Sequence, residues 1–311
     1  MLIVTDTVTS TGKAHQINLP VSFILTFNDK EIESGSDGVA IAAGFRDLQG
    51  QGYGFKKDGS LSKLAAGSGF TYLSCSDPTI GEKKAVTAVS DADPPVVSAA
   101  GHDVSAGDTV RMINITGAKQ INGMEFTAGL KTLTAGTFSL DYMAKLAAAG
   151  TTGFYRKVTN RQSQGLKYIT KITKGATTVV TTSVTHGFTE GLQVEFTIGK
   201  SFGMTELDGK KGIITAIDRE NNTFTVDIDS SNFNDFKFPA TGDKKDTPAQ
   251  VMVVGASGCK RGSFDQAVPC TAVVIAGGEG KPMGKEGEVI RIVMIVEATR
   301  NLSGGSCCAK C

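Results

Sequence analysis

An all-β fold is what this chain of 311 residues predicts, and three observations carry the prediction. Apolar and polar side chains alternate without a fault in Thr223-Phe224-Thr225-Val226-Asp227-Ile228-Asp229. That is the period-2 signature of a strand with one buried and one wet face. Thirty-eight glycines punctuate the chain while few runs hold a helical period, which favours strands joined by turns. Part of the pattern between Tyr168 and Asp229 also occurs once upstream, so one small unit is used twice. The predicted architecture is a discontinuous terminal β-domain with two small β-barrel-like modules inserted in tandem.

Taken in order, residues 1–19 read as a polar, Thr/Ser-rich extended arm. Pro20 opens a strong strand, Val21-Ser-Phe-Ile-Leu-Thr-Phe27, which Asn28-Asp29 ends. From Gly35 to Gly69 the glycine density predicts loops and short strands, and Leu61–Gly67 a single helical turn. The first module is expected over 81–157 and the second over 158–244, with residues 1–80 and 245–300 folding together. Within the first, Asp141 caps a predicted short helix that the alanine run carries to Gly150. Val251–Val254, Cys270–Ala276 and Val289–Val296 are continuous apolar runs, expected as strands buried on both faces.

The two copies share anchors. His102, Gly107 and Val110 match His186, Gly191 and Val194 at the same spacing, each set preceded by a Val-Val pair. Gly123-Met124 is aligned with Gly203-Met204, and Thr137-Phe138 with Thr223-Phe224, while Leu207-Asp208-Gly209 finds no upstream counterpart. A histidine duplicated with its scaffold is expected to set a turn rather than to catalyse.

Composition narrows function. Thirty-two basic against 31 acidic residues leave a net charge of +1, without the basic excess that drives phosphate binding. No nucleic-acid partner is expected. No apolar run approaches the roughly 20 residues of a membrane-spanning helix, and the first residues lack a signal-peptide pattern. Neither Gly50-x-Gly52-x-Gly54 nor Gly277–Lys285 meets the spacing of a nucleotide loop, and the latter reads as a hairpin loop. No nucleophile motif is present, so no catalytic, cofactor or metal residues are assigned.

The cysteines are the sharpest chemical signal. Cys307, Cys308 and Cys311 end the chain after Ser303-Gly-Gly-Ser306, and Cys75, Cys259 and Cys270 fall in or near the terminal domain. All six are candidates for disulfides between subunits, because a Gly/Ser tether over 301–311 lets a thiol search for its partner. A zinc site, which needs four ligands, and an inert reduced tail are the other readings.

The stretch from Val179 through His186-Gly187-Phe188 and Gly191 to Val194, then Gly203-Met204 and Leu207-Asp208-Gly209, then Asn222–Val226, resembles a family. It is similar to the small β-barrel repeat of tailed-bacteriophage structural proteins, named after a domain of ubiquitin-activating enzymes. The resemblance covers about 168–230 and, in degraded form, 85–141, where Asp103 replaces Gly187. It implies a virion structural protein of neck, collar or tail that docks to itself and to other virion proteins, with no ubiquitin chemistry and no enzymatic activity. A capsid-surface decoration role is the nearest alternative. An adhesin or carbohydrate-binding module is the alternative from another class, disfavoured by zero Trp and five Tyr.

Overall fold

The computed structural model describes residues 2–19, 21–34, 38–46, 52–65, 67–75, 79–159, 165–239, 247–254 and 268–296, with the backbone alone at 74–75 and 268–271. Among the described residues the fold is all-β, with one short helix and a few 3-10 turns. The chain divides into two compact units, Met1–Leu73 with Pro269–Cys311, and Ser74–Val268.

The first unit is a two-sheet sandwich. Its larger sheet has six antiparallel strands in the order β1 (Leu2–Thr11), β23 (Glu286–Val296), β3 (Val21–Asn28), β4 (Ile41–Phe45), β5 (Gly52–Phe55) and β6 (Leu61–Leu64). The smaller has β2 (His15–Ile17), β22 (Val268–Ile275) and β7 (Phe70–Cys75). Val21, Ile24, Ala42, Ile290, Ile292 and Met294 of the larger sheet share one core with Phe70, Val273 and Ile275 of the smaller. The expected arm over 1–19 is therefore replaced by two paired strands, Leu2–Thr11 and His15–Ile17.

Local chemistry explains three departures from expectation. Leu61–Gly67 forms no helical turn, because Leu61–Leu64 pairs along its whole length with β5. β23 is not buried on both faces: its residues alternate, with Ile290, Ile292 and Met294 inward and Val289 and Arg291 outward. The loop 277–285 is not a hairpin, since β22 and β23 lie in different sheets. It is pinned by buried Glu288, whose Oε2 accepts from Asn28 Nδ2 (2.7 Å) and the Lys285 N–H (3.0 Å). Asn28 in turn caps α1 (Asp29–Glu33) through the Glu31 N–H. The core-facing glycines of β4 and β5 make room for one ring. A Cβ on Gly44 would stand 2.5 Å from Phe70, and one on Gly52 2.6 Å from the Ala43 carbonyl and 2.9 Å from Phe70, so close packing accounts for glycine at both positions.

The second unit holds both modules. The downstream module is a closed barrel, in ring order β16 (Lys167–Thr173), β17 (Thr178–Thr182), β20 (Thr223–Val226), β19 (Lys211–Asp218), β18 (Gln193–Thr197) and β21 (Gln250–Val253), with β21 returning to β16. The upstream module runs the same circuit. β11 (Val96–Ser98), β14 (Thr137–Leu140), β13 (Glu125–Leu133), β12 (Asp108–Ile113) and β15 (Gly153–Thr159) follow in that order. β9 (Lys84–Val86) pairs with β15 and β10 (Ala88–Val89) with β11, so the stretch 84–89 spans the gap as β16 does downstream. β8 (Thr79–Ile80) adds to β15 outside the ring.

Two expected boundaries move accordingly. Gln250–Val253, expected in the terminal domain over 245–300, closes the second barrel, and Thr79–Ile80, expected in the first part over 1–80, belongs to the first module. Asp141–Gly150 is not a helix. The buried Asp141 carboxylate accepts the N–H groups of Leu130 (2.8 Å) and Lys131 (3.2 Å), so it caps a bulge in β13. Tyr142 then takes a positive φ of 58°, and Met143 and Leu146 fold into the module core.

Candidate functional site

The duplicated histidines occupy the same turn with the same bonds. His102 Nδ1 accepts the Val104 N–H at 3.2 Å, and His186 Nδ1 accepts the Phe188 N–H at 3.0 Å. Each ring stands edge-on to the phenylalanine of its Thr-Phe strand, Phe138 at 5.2 Å and Phe224 at 5.6 Å. Both are turn-setting groups. Burial, reinforced by the nearby Arg219 charge, pushes His186 down to about 4, so it is neutral near pH 7.

The turn between β12 and β13 also has its counterpart, between β18 and β19, one that sequence matching missed. Gly117-Ala-Lys-Gln-Ile-Asn-Gly123 and Gly203-Met-Thr-Glu-Leu-Asp-Gly209 each form a 3-10 turn flanked by positive-φ glycines. Asn122 Oδ1 accepts the Ile115 N–H at 2.6 Å, and Asp208 Oδ1 accepts the Ile198 N–H at 2.9 Å. Gly123 therefore matches Gly209, and its pairing with Gly203 through the following Met was a chance identity. The signal lay in the Gly-x5-Gly spacing.

These polar groups hold loops. Among the described residues no cluster of three or more His, Cys, Asp or Glu could hold a metal ion. Of the candidate cysteines, Cys75 and Cys270 lie on neighbouring strands β7 and β22 by their backbones, while Cys259, Cys307, Cys308 and Cys311 lie outside the described residues. No described helix is long and apolar enough to cross a membrane.

The surface that stands out is the outer face of the six-stranded sheet. Inward residues feed the sandwich core, so the alternating set points outward, and register aligns it in rows. Ile3, Ile295, Phe23 and Phe45 form the first row. Thr5, Val293, Leu25, Ala43, Tyr53 and Lys63 form the second. Thr7, Arg291, Phe27, Ile41, Phe55 and Leu61 form the third. The side chains remain wet: Ile3 is 63% exposed, Leu61 59%, Phe55 41% and Phe45 40%. The Phe23 and Phe45 rings pack at 4.8 Å, which pre-orders the first row. Arg291 is tied at the margin by the Asp29 carboxylate (3.0 Å). A soluble sheet face is ordinarily polar where it meets water, so an apolar patch of this extent marks a contact surface.

The sheet's β1 edge is treated differently from its face. Asp6 sits in the middle of β1, and its carboxylate accepts the Thr7 N–H at 2.8 Å. A charge on an edge strand deters strand addition. No family model and no curated protein matches the chain.

Proposed function

We propose that this chain is a structural subunit of a tailed-bacteriophage particle, of neck, collar or tail, which works by docking and not by catalysis. The observation that carries an assembly role is the apolar outer face of the six-stranded sheet, with Ile3, Phe45, Phe55 and Leu61 exposed. The particle context is supported by the resemblance of the second barrel's turns to a repeat of such proteins. The two barrels, joined in one unit, act as a spacer or a second contact surface. A capsid-surface decoration role would use the same face, and the cysteines would lock the contact after release from the reducing cell.

Fractionation tests this reading. Particles released from cells carrying the gene are banded by density and probed with antibody raised against the whole chain. The chain is expected in the particle band at a fixed ratio to the other virion proteins. A chain confined to the soluble fraction contradicts the reading.

A further inference from the structure

We propose that the outer face of the six-stranded sheet docks on the same face of a second copy of this chain, sheet against sheet, in a two-fold pair. This rests on the assembly reading above and names the partner and the surface.

The face must meet something apolar, and the chain's own remaining segments do not supply it. Residues 35–37, 47–51, 160–164, 240–246, 255–267 and 297–311 carry at most one large apolar side chain each, namely Leu48, Phe264 and Leu302. The rest of these segments is small or polar: Gly, Ser, Ala, Cys, Thr, Asp, Lys, Gln and Arg, with two Asn and one Glu. The partner named is a second copy of this chain.

The face suits itself. It is uncharged across its centre, with Arg291 neutralised by Asp29 and Lys63 at the opposite margin, so two copies meet without a like-charge clash at the middle. Two-fold packing would set these mixed aromatic and aliphatic rows face to face, as the inner faces of a β-sandwich meet at a spacing of about 10 Å. Six strands about 4.8 Å apart and rows about five residues deep make roughly 400–500 Å² per copy. Two faces bury on the order of 800–1,000 Å², the low end for a specific contact, so a weak, concentration-dependent pair is expected. Asp6, exposed in the middle of β1, disfavours edge-to-edge pairing through that strand.

Sedimentation equilibrium of the full chain, under reducing conditions and from about 1 to 300 µM, tests the pair. The wild type is expected to pass from monomer to dimer across this range. Phe45→Ser with Phe55→Ser removes four rings from a two-fold contact and is expected to raise the dissociation constant at least ~100-fold. Both side chains point away from the sandwich core, so the melting temperature checks that the fold is kept. Leu130→Ser, exposed on the first barrel, is expected to dimerise as wild type. A wild type that stays monomeric throughout overturns the proposal, as does a dimer that survives the double substitution. A monomeric chain that joins particles only with Phe45 and Phe55 intact also overturns it, and gives the face to another virion protein. A face-dependent dimer absent from particles keeps the pair and ends the phage reading, so the two failures are distinguishable.

Discussion

Asn222 holds the His186 turn closed: its Oδ1 accepts the His186 N–H at 3.2 Å, while its Nδ2 donates to Thr182 O (2.8 Å) and Val184 O (3.0 Å). It does so from a positive φ of 52°, a conformation Asn tolerates better than most residues. The corresponding position upstream, before Thr137, is Gly136, so the first barrel lacks this rivet. Asn222→Ala takes the side-chain partners from the His186 N–H and Thr182 O, leaves Val184 O with Thr182 Oγ1 alone (2.7 Å), and strains the backbone, a cost of about 2–4 kcal/mol. Asn222→Gly relieves the strain and is expected to cost about 1 kcal/mol less than Ala. Urea denaturation of the two variants checks the order, which reverses if the positive φ costs alanine nothing, since glycine then only adds chain entropy to the unfolded state.

His186 makes the second barrel acid-sensitive. Burial first, then the Arg219 charge, lowers its pKa from 6.5 to about 4 in the folded chain. The unfolded state therefore takes up a proton at a pH where the folded state does not. Stability is full above about pH 6.5 and falls as pH drops towards 4, by about 3 kcal/mol from this group alone. The denaturation midpoint measured from pH 7.5 to 4.5 is expected to fall, and His186→Gln to flatten the part of the slope between 6.5 and 4. An unchanged slope in the variant contradicts the assignment.

Gly44 and Phe70 are coupled by space. A Cβ at Gly44 meets the Phe70 ring at 2.5 Å and Ile24 at 3.0 Å. Gly44→Ala is expected to cost about 1–3 kcal/mol by overpacking, and Phe70→Ala about 3–5 kcal/mol by leaving a cavity. Together they should cost at least about 1 kcal/mol less than the sum, because the methyl fills part of the void. Strict additivity in this cycle would show that the glycine serves some other purpose.

The all-β class was legible because strand periodicity is a local signal, and the repeat because His102 and His186 carry a turn that must be rebuilt identically in each copy. What was illegible was non-local. The sequence around Gly123 cannot reveal that its partner is Gly209, because two residues inserted before Gly203 shift the frame and a chance Met offers a false anchor. Asp141 reads as a helix cap by the same chemistry, acceptance of backbone N–H groups, that it performs on β13 instead. Drift at one site is compensated at another. Val104 stands where the second copy has Phe188, and the ring edge against Phe138 comes instead from Tyr155 of β15 at 5.2 Å. Buried beside the Asp103 carboxylate to which it donates (2.9 Å), that tyrosine hydroxyl is raised to about 12 and stays protonated. The apolar sheet face escaped the sequence reading altogether. Its residues come from six strands scattered over the chain, and only register shows that Ile3, Phe23, Phe45 and Ile295 form one row.

Hydroxyl-radical footprinting, comparing free monomer with the chain in purified particles, tests most directly that this face is what assembly covers. Oxidation of Phe45, Tyr53, Phe55 and Leu61 is expected to fall several-fold in the particle, while Leu130 and Leu133 on the first barrel serve as reference. Equal oxidation of the face in both states would contradict the account, since a surface that stays wet in the particle joins nothing.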